Sequence, residues 1–189
     1  MTHEERLLAI LRGSQLWSAL LGRAPLVSLG DWAVGAGALV QTVWNHLHGF
    51  PDRHGVRDID IVYFDDRDLS EEAEARAIAG IDRLLGDLGV ALDVKNQARV
   101  HLWYERRFGK PIQPCSSLED AIGTWPTTST AVALAPNLDG SIRVIAPFGL
   151  DDLLAGIVRP NKRQITEDIY RAKIDRWRPV WPKLDIRPW

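Results

Sequence analysis

Two aspartates one residue apart, Asp58 and Asp60, stand in the run Asp58-Ile59-Asp60-Ile61-Val62, whose β-branched residues predict an extended strand. Side chains at i and i+2 of a strand point to one face, with Cα atoms about 6.6 Å apart, so the two carboxylates can converge on one cation. Mg²⁺ suits such a pair: it takes oxygen ligands, commonly one or two carboxylates completed by water and substrate phosphate. Paired ions of this kind clamp an in-line phosphoryl displacement. A third acid, Asp93, lies within Leu92-Asp93-Val94, flanked by apolar residues as a strand-borne ligand should be. Taken in isolation, an Asp-x-Asp also describes a solvated strand end, and neighbouring features must decide between the two.

One such feature is Gly35-Ala36-Gly37, placed between an apolar strand and a helix. A glycine turn there leaves backbone N–H groups free at a helix N-terminus, where phosphate binds favourably; simple helix–strand packing is the plainer alternative. Lys95 and Arg99 follow the third acid. Either could neutralise charge on a departing phosphate, or form a solvated helix start. His46 and His48 are two apart on a predicted helix, diverge, and are read as structural. Thr127 to Thr130 reads as a loop cap. Cys115, between prolines and without a partner base, is given no nucleophilic role.

The elements that must position these residues follow from periodicity and punctuation. Residues 4–22 predict one helix, closed by Gly22 before Pro25. A strand over Asp31–Val34, the glycine turn and a helix over Ala38–Leu47 form a first βα unit. A strand over Asp58–Phe64, a helix over Glu71–Leu88 capped by Ser70, a strand over Val90–Val94 and a helix over Ala98–Phe108 come next. Pro111 and Pro114 mark a joint. Beyond it are expected a short helix (Leu118–Ile122), a hairpin of Thr130–Ala135 and Ser141–Ile145 turned by Asn137-Leu138-Asp139-Gly140, and helices over Leu150–Val158 and Gln164–Trp177. The fold class is α/β (α+β): a mixed sheet flanked by helices in one domain, residues 1–189, with a core of about 1–110 and a helix/hairpin lobe of about 111–189.

Composition narrows the function classes. Net charge is −2, from 23 basic and 25 acidic residues, so no global field draws in nucleic acid or an anionic membrane, and general nucleic-acid binding is not expected. One cysteine rules out an internal disulfide framework. The first residues carry no apolar signal core and no apolar run approaches membrane-spanning length, so a cytoplasmic address is expected. Eight scattered tryptophans read first as core and packing anchors.

The order Val34-Gly35-Ala36-Gly37, Asp58-Ile59-Asp60-Ile61, Leu92-Asp93-Val94 resembles the nucleotidyltransferase superfamily that includes DNA polymerase β, poly(A) polymerases and aminoglycoside nucleotidyltransferases. A likeness over nearly the whole chain is to a bacterial nucleotidyltransferase-like family of uncharacterised role. It is carried by Gln41-Thr42-Val43-Trp44-Asn45, Asn96-Gln97-Ala98-Arg99-Val100-His101-Leu102-Trp103-Tyr104, Trp125-Pro126-Thr127-Thr128 and Ala146-Pro147-Phe148-Gly149-Leu150-Asp151-Asp152 before Arg159-Pro160-Asn161. The resemblance implies a nucleotidyltransferase fold, a nucleoside triphosphate (NTP) substrate with Mg²⁺ or Mn²⁺, and transfer of a nucleoside monophosphate to an unknown acceptor with release of pyrophosphate. It makes Asp58 and Asp60 metal ligands, Asp93 the third acid, and the Gly35 turn the triphosphate cradle. Ala36 departs from the superfamily's usual Gly or Ser at the second turn position. A catalytically inactive protein of the same fold, binding a nucleotide or a protein partner, is the alternative implied.

Overall fold

The computed structural model describes residues 1–137 and 139–189. Leu138, in the expected hairpin turn, lies outside the described residues. Five strands form one mixed sheet in the order β3-β2-β1-β4-β5: β1 is Asp31–Gly35, β2 Asp58–Phe64, β3 Ala91–Asn96, β4 Ala133–Pro136 and β5 Ile142–Ile145. β2 and β3 run parallel and the other pairs antiparallel. Residues beyond 110 therefore supply β4 and β5 to the same sheet that carries β1 to β3.

Alternation along β2 sorts its side chains cleanly. Ile59, Ile61 and Tyr63 enter the main core, while Val62 and Phe64 belong to a smaller cluster with Leu118 and Ile122 on the other face. Asp58 and Asp60 share that second face by period-two geometry. On β3, Leu92 and Val94 face the main core, which leaves Asp93 and Lys95 on the face of the β2 acids.

The first expected helix is two helices, α1 His3–Arg12 and α2 Gln15–Arg23. Gly13 ends the first, and the Ser14 hydroxyl accepts the Trp17 N–H to begin the second. Gly22 is thus an interior residue and not the stop. The break turns Leu7 and Leu11 of α1 and Leu16, Trp17 and Leu20 of α2 onto the core together. α3 spans Gly37–His48 and ends at Gly49 in the left-handed conformation. α4 is Glu71–Leu85, shorter than expected because its last turn tightens to a 3-10 form over Gly86–Leu88. α5 is Val100–Phe108 and α6 is Leu118–Ile122. The segment expected as one helix over Leu150–Val158 divides into α7, Asp151–Ala155, and β6, Ile157–Val158, because Gly156 turns left-handed between them. α8 is Glu167–Trp177, and a strand with no apolar signal, β7 (Asp185–Ile186), pairs parallel with β6.

α3 is the hinge of the molecule's long-range contacts. The Asn45 amide donates to the Asp52 and His54 carbonyls, at 3.0 and 2.9 Å, and its oxygen accepts the Trp181 indole N–H at 2.7 Å. The His48 imidazole, bonded through Nδ1 to the Trp44 carbonyl, accepts the Lys183 N–H at 2.9 Å. The Trp44 ring meets Trp177 and Trp181 edge-on, with centroids 5.3 and 5.2 Å apart. These bonds lay the carboxy-terminal segment against α3 and leave a groove between α3 and α8.

Candidate active site

The groove is a cleft of about 350 Å³ in which sheet, α3, α5 and α8 meet. Its floor holds Asp58, Asp60 and Asp93. The parallel register sets Asp60 directly beside Asp93, so the three carboxylates come from two neighbouring strands on one face. Burial, then Asp58, then Asp93 push the Asp60 carboxyl up to about 6, partly offset by the Lys95 ammonium and the Gly37 N–H. Asp60 is thus buried beside two like charges, while the Asp93 side chain remains 39% exposed.

The glycines of the turn act in different places. A Cβ on Gly37 would lie 2.5 Å from Asp60 Oδ2, so only glycine lets the first residue of α3 approach that carboxylate. Ala36 has φ +44° and ψ −120°, the one non-glycine residue with positive φ among the described residues, and no side chain caps α3. The uncapped first turn therefore opens beside the acids, and its Gly37 N–H already donates to Asp60. Gly35 instead makes room on the sheet, since a Cβ there would meet the Trp125 ring at 2.5 Å and Ala133 Cβ at 3.0 Å. Its lack of a side chain seats Trp125 on the sheet, and of the three turn residues only Ala36 and Gly37 line the cleft.

The expected cations are placed differently. Lys95 forms an ion pair with Asp93 at the edge of the site and is not part of the cleft wall. Arg99 does not line the cleft: its buried guanidinium pairs with Glu74 and donates from Nε to the Leu69 carbonyl at 2.8 Å. It ties α4 to the segment after β3. In its stead the structure brings Lys173 and Arg176 of α8, Arg107 of α5 and Arg57. Burial, with the neighbouring Arg176, holds the Lys173 ammonium below its usual range, and Asp60 and Asp58 pull it back. Sequence reasoning missed α8 as a wall of the site. The signal was present in Lys173, Arg176 and Trp177, a helical face mixing cations with an apolar residue and followed by Val180 in the turn beyond, but nothing in the sequence says what that face meets.

Among the described residues no three carboxylates, imidazoles or thiols converge as a ready metal cage. The arrangement nevertheless fits the Mg²⁺ mode in which two carboxylates hold the ion and substrate phosphate completes it. Asp58 and Asp60 are the pair placed to hold such an ion, and the raised Asp60 marks a place where added positive charge is favourable.

A nucleotidyltransferase family model matches residues 23–186. The chain belongs to the nucleotidyltransferase family. Its activity class is accordingly nucleotidyl transfer. A solution structure described as revealing a CCA-adding enzyme head domain superposes on this nucleotidyltransferase with a TM-score of 0.78 and 23% identity, covering 98% of this chain and 96% of that one. That likeness concerns fold. A tRNA-processing enzyme in an apo form gives a TM-score of 0.37 at 18% identity, over 69% of this chain and 34% of the other. No curated protein matches. Among the described residues of the nucleotidyltransferase no helix is long and apolar enough to cross a membrane.

Proposed function

We propose that this nucleotidyltransferase moves a nucleoside monophosphate from an NTP to a hydroxyl or phosphate acceptor in a reaction dependent on divalent metal. The observation that carries the reading is the meeting, in one cleft, of the Asp58, Asp60 and Asp93 carboxylates with the uncapped N-terminus of α3. Asp58 and Asp60 would hold Mg²⁺ or Mn²⁺, which when bound lowers the cost of gathering phosphate charge against acids. The N–H groups of the first turn of α3 beyond Gly37 donate to phosphate oxygens. Lys173 and Arg176 face them from α8 and offset the charge that grows on the leaving group. In the transfer the acceptor oxygen forms a bond to the α-phosphorus, the bond from that phosphorus to the oxygen bridging to the β-phosphorus breaks, and its electron pair leaves with pyrophosphate. The acceptor's proton passes to Asp93, whose carboxylate lies level with Asp60.

The Asp93–Lys95 ion pair favours a second reading, in which the acid is neutralised and the protein binds a nucleotide without turnover. Pyrophosphate release from each of the four NTPs with Mn²⁺, in the presence of a cell-metabolite extract, separates the two. Release that Asp93→Asn abolishes while NTP binding survives supports transfer; nucleotide binding with no release under any condition supports the second reading.

A further inference from the structure

Of the three carboxylates on the cleft floor, one already has its counter-charge. Asp93 and Lys95 are two apart on β3 and share a face, and the Lys95 ammonium pairs with Asp93 Oδ2. Register explains the direction it takes. Lys95 stands beside Val62, an apolar position of the smaller cluster, whereas Asp93 stands beside Asp60. A lysine lays its stem along apolar surface and carries its head to a polar neighbour, here the acids. Its charge is felt at Asp60 as well as at Asp93. A cation that acts on both strands at once stands where a second divalent ion bridging them would have to stand.

The opposite wall holds cations with no such partner. Arg57, Arg107, Lys173 and Arg176 line the cleft, and among the described residues none of the four pairs with a carboxylate. Burial, then the like charge of Arg176 and, more weakly, that of Arg107 hold the Lys173 ammonium below its usual range. The wall therefore gathers like charges that the chain itself does not neutralise by contact. They match an NTP, which carries about four negative charges because its last phosphate is mostly dianionic near neutral pH. The charges then close with a single ion: Asp58 and Asp60 balance one divalent cation, Lys95 balances Asp93, and the wall balances the triphosphate. A second divalent ion would bring charge that no group here offsets, and it would be repelled by the Lys95 ammonium with twice the force of a monovalent one.

We propose that the site takes one divalent cation, on Asp58 and Asp60, and that the Lys95 ammonium supplies at Asp93 the positive charge a second ion would bring. The proposal rests on the reading of this cleft as a metal-dependent NTP site. It makes Lys95, at the edge of the site, the residue that sets the metal count.

Equilibrium dialysis against millimolar Mn²⁺ and radiolabelled, non-hydrolysable analogues of the four NTPs tests this, with bound Mn²⁺ counted by electron paramagnetic resonance after acid release. The parent and Lys95→Arg are expected to hold one ion per bound nucleotide. Lys95→Met is expected to hold two, because methionine keeps an apolar stem and removes the charge, and adding Asp93→Asn to it should return the count to one. Two ions per nucleotide in the parent, or one in Lys95→Met, overturns the proposal and leaves the NTP site standing. Should Lys95→Met fold poorly despite its part-exposed position, Asp93→Asn alone decides: retention of the parent's ion supports the assignment, and loss of that ion overturns it. A parent that binds no nucleotide with or without Mn²⁺ refutes the reading beneath, and the proposal with it.

Discussion

Neutralising Asp60 is expected to stabilise this protein while destroying its metal-linked binding. The carboxyl is pushed from an ordinary 3.8 up to about 6 by burial and by Asp58 and Asp93. Its folded-state pKa is raised, so folding favours the protonated acid: that stability is fully present below about pH 4 and is lost as the pH rises through about 6. Above that, the ionised group costs the metal-free protein up to about 3 kcal/mol, at 1.36 kcal/mol per unit. Asp60→Asn removes the charge and keeps an oxygen that can accept the Gly37 N–H. In the presence of chelator the variant should melt roughly 6–12 °C above the parent at pH 7.5, taking about 2–4 °C per kcal/mol for a chain of this size. The difference should shrink towards zero near pH 4. Added Mn²⁺ should raise the parent's melting temperature at pH 7.5 and leave the variant's unchanged. Calorimetric melts across pH 4–8, with and without Mn²⁺, carry the test. A variant that melts at or below the parent at pH 7.5, or a difference that does not vary with pH, refutes the account of three crowded carboxylates.

The two glycines of the turn should separate. Gly35→Ala drives a methyl into Trp125 and should cost about 1–3 kcal/mol in urea unfolding. Gly37→Ala pushes on the Asp60 carboxylate and should weaken Mn²⁺-dependent NTP binding at least tenfold for a smaller loss of stability; calorimetry beside the melts distinguishes them, and equal effects on both properties would mean the turn acts as one unit. Ala36→Gly relieves a positive φ and should stabilise by about 1 kcal/mol without loss of NTP affinity, read from denaturant midpoints and titration. Arg99→Met leaves Glu74 half-buried and unpaired and should cost about 3 kcal/mol, while the refolded variant binds NTP as the parent does; a selective loss of affinity would return Arg99 to the phosphate site.

Much of the fold and of the acidic floor is legible in the residues themselves. β2 and α6 fall on their predicted bounds, and the order turn, Asp-x-Asp, Asp places three carboxylates on one sheet face, because strand alternation and in-register pairing are local rules that apolar flanks make visible. The break at Gly13-Ser14 is hidden because the apolar stripe of residues 4–22 continues across it, and a serine cap shows only when the second helix changes direction. Gly156 is hidden likewise, since a glycine after an apolar helix can close it or sit within it, and β7 becomes visible only as the partner of β6.

Sequence alone determined that two aspartates share a strand face, that a third can stand beside them, and that a helix begins at a glycine turn nearby. Those facts depend on residue spacing within single elements. Which cations face the acids was decided by tertiary structure: Arg99, close in sequence to Asp93, turns to Glu74, while Lys173 and Arg176, about eighty residues away, reach the cleft. Asn45 and His48 bring them there by binding the chain around Trp181 and Lys183. A charged side chain goes to whatever partner packing presents, and that partner is set by contacts distant in sequence, which no local pattern encodes.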